Sequence, residues 1–290
     1  MADLPFMVPL LAVHGAPVGS RLAALWEVQK HEQHGPARST DLFHAYLHLR
    51  VYLLHGLGYW HPMSKPIALF DLDGTLADTG PDLRDSLNHA VATIGIPPVS
   101  LDFLNFAVGQ GGRVMIERTL KAHDVKPTDE LMAELHPLFL EHYETHMPGH
   151  TVFFDGVLGL VQDLRRAGWA TAVCTNKPQA LADRLLACLQ KTSLFDAVCG
   201  GDLFAYRKPD GRHLLSTIEA ARGDPRQAIM FGDSVSDVAG ARSAGIPVIG
   251  VPFGYTDVPI AELKPDLVIE IWHDISVDKI EQLISEHRSA

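Results

Sequence analysis

From Lys65 onward the sequence alternates short apolar runs with segments of helical periodicity, and this alternation limits the possible folds more than any other feature. Apolar runs at Pro66–Leu72, Trp169–Cys174, Ala228–Phe231, Ile246–Val251 and Leu267–Ile269 have the length and turn-residue boundaries of buried strands. Between them, Gly156–Ala167, Gln179–Leu189, Arg212–Ala221, Val235–Ala244 and Ile275–Glu286 carry the spacing of amphipathic helices. Such units predict a parallel sheet covered on both faces, because a parallel connection needs a crossover. Ligands then bind outside the carboxyl ends of the strands.

Two segments break the pattern. Residues 80–150 show only helical periodicity, over Asp82–Ile94, Leu101–Val108, Arg113–His123 and Asp129–Glu144. An all-helical insert after the first strand predicts a small cap on a core formed by residues 65–79 and 151–290. Residues 1–62 carry two further helical patterns, Gly19–Gln33 and Ser39–Leu57, without the features of a secretory signal. The string Met63-Ser64-Lys65-Pro66, followed at once by a strand, resembles a natural start, so residues 1–62 are expected to be an upstream extension. Their His44, His48 and His55 lack nearby carboxylates or cysteines, which favours a polar helix face over a metal site.

Charge narrows the function. The formal net charge of −11 lies entirely within residues 63–290, which argues against a nucleic-acid binder, whose affinity comes largely from Lys and Arg on phosphates. A small anionic substrate then needs a local device such as a metal ion or a helix N-terminus. No apolar stretch is long enough to span a membrane. The three cysteines, Cys174, Cys188 and Cys199, lack CxxC spacing and read as buried thiols in a reducing, cytoplasmic setting.

Chemistry concentrates at strand ends. Asp71-Leu72-Asp73-Gly74-Thr75 closes the first strand, and Gly74 lets the backbone bend so that two carboxylates converge on one substrate. Such a pair divides labour, one as nucleophile or metal ligand, the other as general acid and base. Thr175 and Asn176 follow the next strand with hydrogen-bond donors for phosphoryl oxygens. Lys208 offers a cation for a carboxylate and a transferring phosphoryl group. Asp233 and Asp237 end a further strand with hard oxygen ligands suited to Mg²⁺.

Taken in this order, Asp-x-Asp-Gly-Thr, a strand-end Thr, Lys-Pro and Gly-Asp-Ser-x-x-Asp resemble the haloacid dehalogenase (HAD) superfamily of hydrolases. The resemblance implies an α/β fold, an HAD-like Rossmannoid parallel sheet with a small all-helical cap, beside the helical N-terminal extension. It implies Asp71 as the nucleophile that becomes an aspartyl phosphate, and Asp73 as general acid and base. Thr175 would hold phosphoryl oxygens and Lys208 would stabilise charge around Asp71. The implied cofactor is Mg²⁺, held by Asp71, the backbone carbonyl of Asp73, and Asp233, with Asp237 as a supporting acid. Dehalogenases of the superfamily lack the second acid, since halide leaves without a proton, so Asp73 favours phosphoryl chemistry.

Within that superfamily, four strings look like the phosphoglycolate phosphatases: Asp71 through Thr79, Val108-Gly109-Gln110-Gly111-Gly112, Thr175-Asn176-Lys177-Pro178, and Gly250 through Tyr255. The resemblance places Thr75, Asn176 and Lys177 in substrate binding. Backbone N–H groups at Gly109, Gly111 and Gly112, ahead of a helix beginning near Arg113, suit a carboxylate, with Arg113 adding a charge-assisted pair. The expected reaction is hydrolysis of 2-phosphoglycolate to glycolate and phosphate. Alternatives are a pyrophosphatase, a sugar-phosphate phosphatase or a β-phosphoglucomutase-like phosphotransferase. From another class comes an interaction module docking a partner through residues 1–62. The expected partner is a small phosphorylated metabolite, not nucleic acid or membrane, and the expected state is a monomer or homodimer. One departure is Gly211 in Lys208-Pro209-Asp210-Gly211, where these relatives commonly have a second proline; some lost turn rigidity is expected.

Overall fold

The computed structural model describes residues 64–104, 108–256 and 258–289. The helices expected within residues 1–62, and the histidines His44, His48 and His55, lie outside the described residues. The strands are β1 (Lys65–Phe70), β2 (Ala77–Asp78), β3 (Val152–Phe153), β4 (Ala170–Cys174), β5 (Ala197–Cys199), β6 (Gly223–Gly232), β7 (Val248–Gly250) and β8 (Leu267–Val268). The α-helices are α1 (Gly80–Ala92), α2 (Leu101–Leu104), α3 (Gly112–Ala122), α4 (Asp129–His146), α5 (Val157–Arg166), α6 (Gln179–Cys188), α7 (Gly211–Ala220), α8 (Val235–Ala244) and α9 (Val277–Ser289).

Six strands form one parallel sheet in the order β5-β4-β1-β6-β7-β8. Alternation along β1 explains the two covered faces. Ile67 and Leu69 join Leu214, Ile218, Val238 and Ala241 of α7 and α8 in one core. Ala68 and Phe70 face the other core, with Val161 and Leu164 of α5, Leu185 of α6 and Ile280 of α9. There the Phe70 and Phe231 rings stack with centroids 4.8 Å apart, and Trp272 packs against both.

The chain runs outward from β1 in one direction through β4 and β5, and in the other through β6, β7 and β8. The carboxyl ends of β4, β1 and β6 therefore flank a topological switch point, where a doubly wound sheet opens a crevice. Among the described residues of 80–146 the regular elements are helices, as the periodicity predicts, and β2 pairs antiparallel with β3 where that segment meets the sheet. Both connections are tied down. The Tyr255 hydroxyl donates to Asp78 Oδ1 and accepts from the Gly80 N–H at 2.7 Å. The Asp82 carboxylate accepts from the N–H groups of His150 and Thr151 at 2.7 and 3.0 Å, and from the Thr151 hydroxyl at 2.6 Å.

Several expectations are corrected. Of the helix expected over Leu101–Val108, Leu101–Leu104 is helical and Val108–Gln110 forms a 3₁₀ turn, while residues 105–107 lie outside the described residues. β5 and the β2–β3 pair were not anticipated, since two or three half-buried residues carry no periodic signal. β6 starts at Gly223, earlier than the apolar run, because its first half carries Asp224, Arg226 and Gln227. Cys174 and Cys199 are buried, and burial pushes their thiols up to about 12 and about 11, whereas Cys188 is exposed. Among the described residues no helix is long and apolar enough to cross a membrane.

Candidate active site

β1, β4 and β6 end side by side, so the residues that follow them, Asp71, Thr175 and Asp233, meet at one edge of the sheet. Gly74 has φ +83° and makes the bend after Asp71; a Cβ there would lie 2.6 Å from Asp233 Oδ2. Both the turn and the approach of Asp233 thus require glycine.

Lys208 joins two of the acids. Its Nζ lies 3.0 Å from Asp71 Oδ1 and donates to Asp237 Oδ1 at 2.6 Å, with the lysine side chain 1% exposed. Asp71 Oδ1 also accepts from the Leu72 N–H at 2.7 Å. Asp237 Oδ2 accepts from the N–H and hydroxyl of Ser234 at 3.0 and 2.6 Å, which locks the first turn of α8. Asp233 accepts from the Thr75 hydroxyl at 2.8 Å and from the Tyr255 N–H at 2.6 Å.

One carboxylate oxygen each from Asp71, Asp233 and Asp237 lie within 4.8 Å of one another, and all three residues are buried. Burial pushes the Asp71 carboxyl up to about 6, against the pull of Lys208, with Asp237 and Asp73 adding repulsion. Burial, then Asp237 and Asp71, raise Asp233 well above the usual carboxylate range. In ionised form, three carboxylates against one ammonium leave two negative charges uncompensated, and the donors are hard oxygens. That set fits a divalent cation such as Mg²⁺.

Asp73 stands apart from this cluster. Its carboxylate accepts from Lys177 Nζ at 3.0 and 3.2 Å, and the same Nζ donates to the Tyr143 hydroxyl of α4 at 2.8 Å. Lys177, which the resemblance places in substrate binding, is 3% exposed and paired across the crevice. Burial pushes the Tyr143 phenol up to about 12.

Residues 68–251 match the haloacid dehalogenase-like hydrolase family. The chain belongs to that family. The match spans all four strand-end motifs of this haloacid dehalogenase-like hydrolase. Over 229 residues it is 46% identical to a phosphoglycolate phosphatase of Agrobacterium fabrum, covering 79% of this chain and 98% of the relative. A phosphoglycolate phosphatase of Mesorhizobium japonicum is 45% identical over 226 residues, covering 77% and 98%. Among solved structures, a predicted phosphoglycolate phosphatase from Haemophilus somnus superposes with a TM-score of 0.68 at 27% identity, covering 74% of this chain and 97% of that one.

The other expected site residues of this hydrolase have the following partners. Thr75 is spent on Asp233. The Asn176 side-chain amide donates to the Lys208 carbonyl at 3.0 Å, so it braces the lysine loop, and its Oδ1 is a buried acceptor without a hydrogen-bond partner among the described residues. Thr175 accepts from the Lys177 N–H at 3.2 Å, which leaves its hydroxyl proton to donate. Gly111, at φ +92°, caps α3 and Gly112 opens it, with the Phe139 ring where a Cβ of Gly112 would stand. Gly109 of the same loop approaches the Tyr255 carbonyl and Ser234, which flank Asp233. Arg113 points elsewhere, half exposed beside Glu117 at 3.3 Å and Asp129 at 3.6 Å. Tyr143 and Tyr255 carry no signal of their own in the sequence, since a lone Tyr on a helix reads as core and Tyr255 stands only at the end of the Gly250–Tyr255 string.

Gly211 also has a reason beyond the turn. A Cβ there would come within 2.4 Å of the Ala244 nitrogen and 2.5 Å of the Ser243 carbonyl carbon, so α7 and α8 meet backbone to backbone.

Proposed function

We propose that this hydrolase is a Mg²⁺-dependent phosphatase whose preferred substrate is 2-phosphoglycolate. The observation that carries the reading is the buried pairing of Asp71 with Lys208 beside two further acids, at the mouth of the sheet. The names of the relatives at 45–46% identity support the substrate.

In this reading Asp71, Asp233 and Asp237 would hold Mg²⁺, joined by the Asp73 carbonyl as the resemblance implies. Bound there, the ion would neutralise negative charge on the phosphoryl group and the carboxylates. Asp71 attacks phosphorus, the phosphorus–oxygen bond to the leaving group breaks, and Asp73 gives that oxygen its proton, releasing glycolate. Asp73, now a carboxylate, takes a proton from water as the water oxygen attacks phosphorus, so the aspartyl phosphate breaks and Asp71 is regenerated. Lys208 keeps Asp71 aligned and offsets charge on it; the Thr175 hydroxyl donates to a phosphoryl oxygen. The helices of residues 80–150 act as a cap that excludes water, and the Gly109–Gly112 loop offers backbone N–H groups to the glycolate carboxylate.

The test is phosphate release from 2-phosphoglycolate, pyrophosphate, glucose phosphates and an aryl phosphate, with and without Mg²⁺. The highest kcat/KM for 2-phosphoglycolate, lost without Mg²⁺, is expected. Preference for another ester would overturn the substrate while keeping the chemistry, and no release from any would overturn the reading.

A further inference from the structure

Lys177 and Tyr143 have no step in the proposed mechanism, yet a buried ammonium is costly to build. An ammonium whose side chain is 3% exposed persists only if its donors are filled, and here they are filled by two groups from different parts of the chain. Asp73 supplies two oxygens from the end of the first strand, and Tyr143 supplies its hydroxyl from α4, 34 residues before Lys177 in the chain. The same Nζ lies 4.4 Å from the centroid of the Tyr143 ring. The tyrosine is held in turn: its ring packs on Phe139, 6.3 Å between centroids, and Phe139 fills the space over Gly112 at the start of α3.

We infer that Lys177 and Tyr143 are positioning residues for Asp73, so that the acid–base carboxylate is correctly placed only while α4 rests against the core. Among the described residues Lys177 is the side chain that hydrogen-bonds the Asp73 carboxylate, through both oxygens. In both half-reactions a proton moves between Asp73 and an oxygen on phosphorus, and that transfer depends on the carboxylate standing within hydrogen-bond reach. Lys177 holds the carboxylate that glycolate release leaves behind, and thereby sets where it stands when water is deprotonated. The contacts from Gly112 through Phe139, Tyr143 and Lys177 to Asp73 join the loop that faces the substrate to the group that handles the proton. This inference rests on the acid–base role proposed for Asp73.

The test is a set of steady-state measurements on the full chain with Mg²⁺ and 2-phosphoglycolate. It compares Lys177→Met, Lys177→Arg, Tyr143→Phe, Asp73→Asn and the double variant Asp73→Asn/Lys177→Met, with thermal unfolding recorded for each. Lys177→Met is expected to lower kcat by roughly 10²-fold with KM changed less than about 3-fold, the scale of a lost general acid–base contribution. Tyr143→Phe keeps the ring and loses only the hydroxyl, so about 10-fold is expected, and Lys177→Arg should recover part of the loss. Because Lys177 acts through Asp73, the double variant should be no more than about 3-fold slower than Asp73→Asn alone. Should Lys177→Met fail to fold, Tyr143→Phe carries the decision. A folded Lys177→Met or Tyr143→Phe enzyme with unchanged kcat, or losses that multiply in the double variant, would overturn the inference and leave the proposed function standing. Unchanged kcat in Asp73→Asn would instead overturn the acid–base role itself.

Discussion

Lys208 Nζ stands 3.0 Å from Asp71 Oδ1, with the two side chains 1% and 9% exposed. A charge pair so deeply buried is costly to break from one side, because the remaining charges lose their compensation. Lys208→Met is therefore expected to destabilise the metal-free protein by about 3–5 kcal/mol, read from denaturant unfolding. It should also lower kcat/KM by roughly 10³-fold, because a cation beside the reacting carboxylate is lost. Wild-type stability together with wild-type turnover would show that the pair is dispensable.

The pH dependence of metal binding follows from the buried acids. A carboxyl pushed up to about 6 in the folded, metal-free protein binds protons more tightly than it does in the unfolded chain. Its contribution to stability is full below about pH 4 and is lost as pH rises through about 6. A divalent cation competes with those protons, so the thermal stabilisation conferred by Mg²⁺ should be small near pH 5 and grow towards pH 7.5. Differential scanning fluorimetry with and without Mg²⁺ across that range checks the sign, and stabilisation that shrinks with rising pH would contradict it.

Gly211 separates a packing effect from a turn effect. A methyl group at this position would press on the backbone of Ser243 and Ala244, so Gly211→Ala should cost about 1–3 kcal/mol, the scale of overpacking. If turn rigidity were the only issue, the same substitution would be neutral or stabilising. Chemical denaturation of the variant distinguishes the two signs.

Arg113 pairs with Glu117 and Asp129 on the surface of the helical segment. Exposed pairs of this kind are worth little. Arg113→Ala is accordingly expected to leave KM for 2-phosphoglycolate within about 2-fold of wild type, a surface substitution with little energetic consequence. A large rise in KM would restore the substrate contact that its position after Gly111 and Gly112 had predicted.

What was legible in the sequence was local. Asp71, Thr175 and Asp233 each stand at the carboxyl end of an apolar run, so their place at strand ends could be read before the strands were paired. Gly74 carried its meaning in the Asp-Gly step. The assignment of Lys177 could not be read locally, because its burial depends on Tyr143, a residue whose own neighbours describe only an amphipathic helix. Asn176 beside Thr175 reads as a substrate donor, and its amide hydrogen bond to the Lys208 carbonyl leaves no mark on the sequence. Arg113 follows the same logic, since its spacing from the glycines is right while Glu117, one helical turn on, claims its guanidinium. The short strands β2, β3 and β5 depend on pairing partners and leave no period of their own.

The identity of the nucleophile is tested most directly by trapping the covalent intermediate. Acid quenching during turnover of 2-phosphoglycolate, borohydride reduction and peptide mapping convert a phosphorylated aspartate to homoserine and locate it. Homoserine at position 71, absent when substrate is omitted, is the expected result. An unmodified Asp71 under conditions of full turnover, or modification at Asp73, Asp233 or Asp237 instead, would contradict Asp71 as the nucleophile.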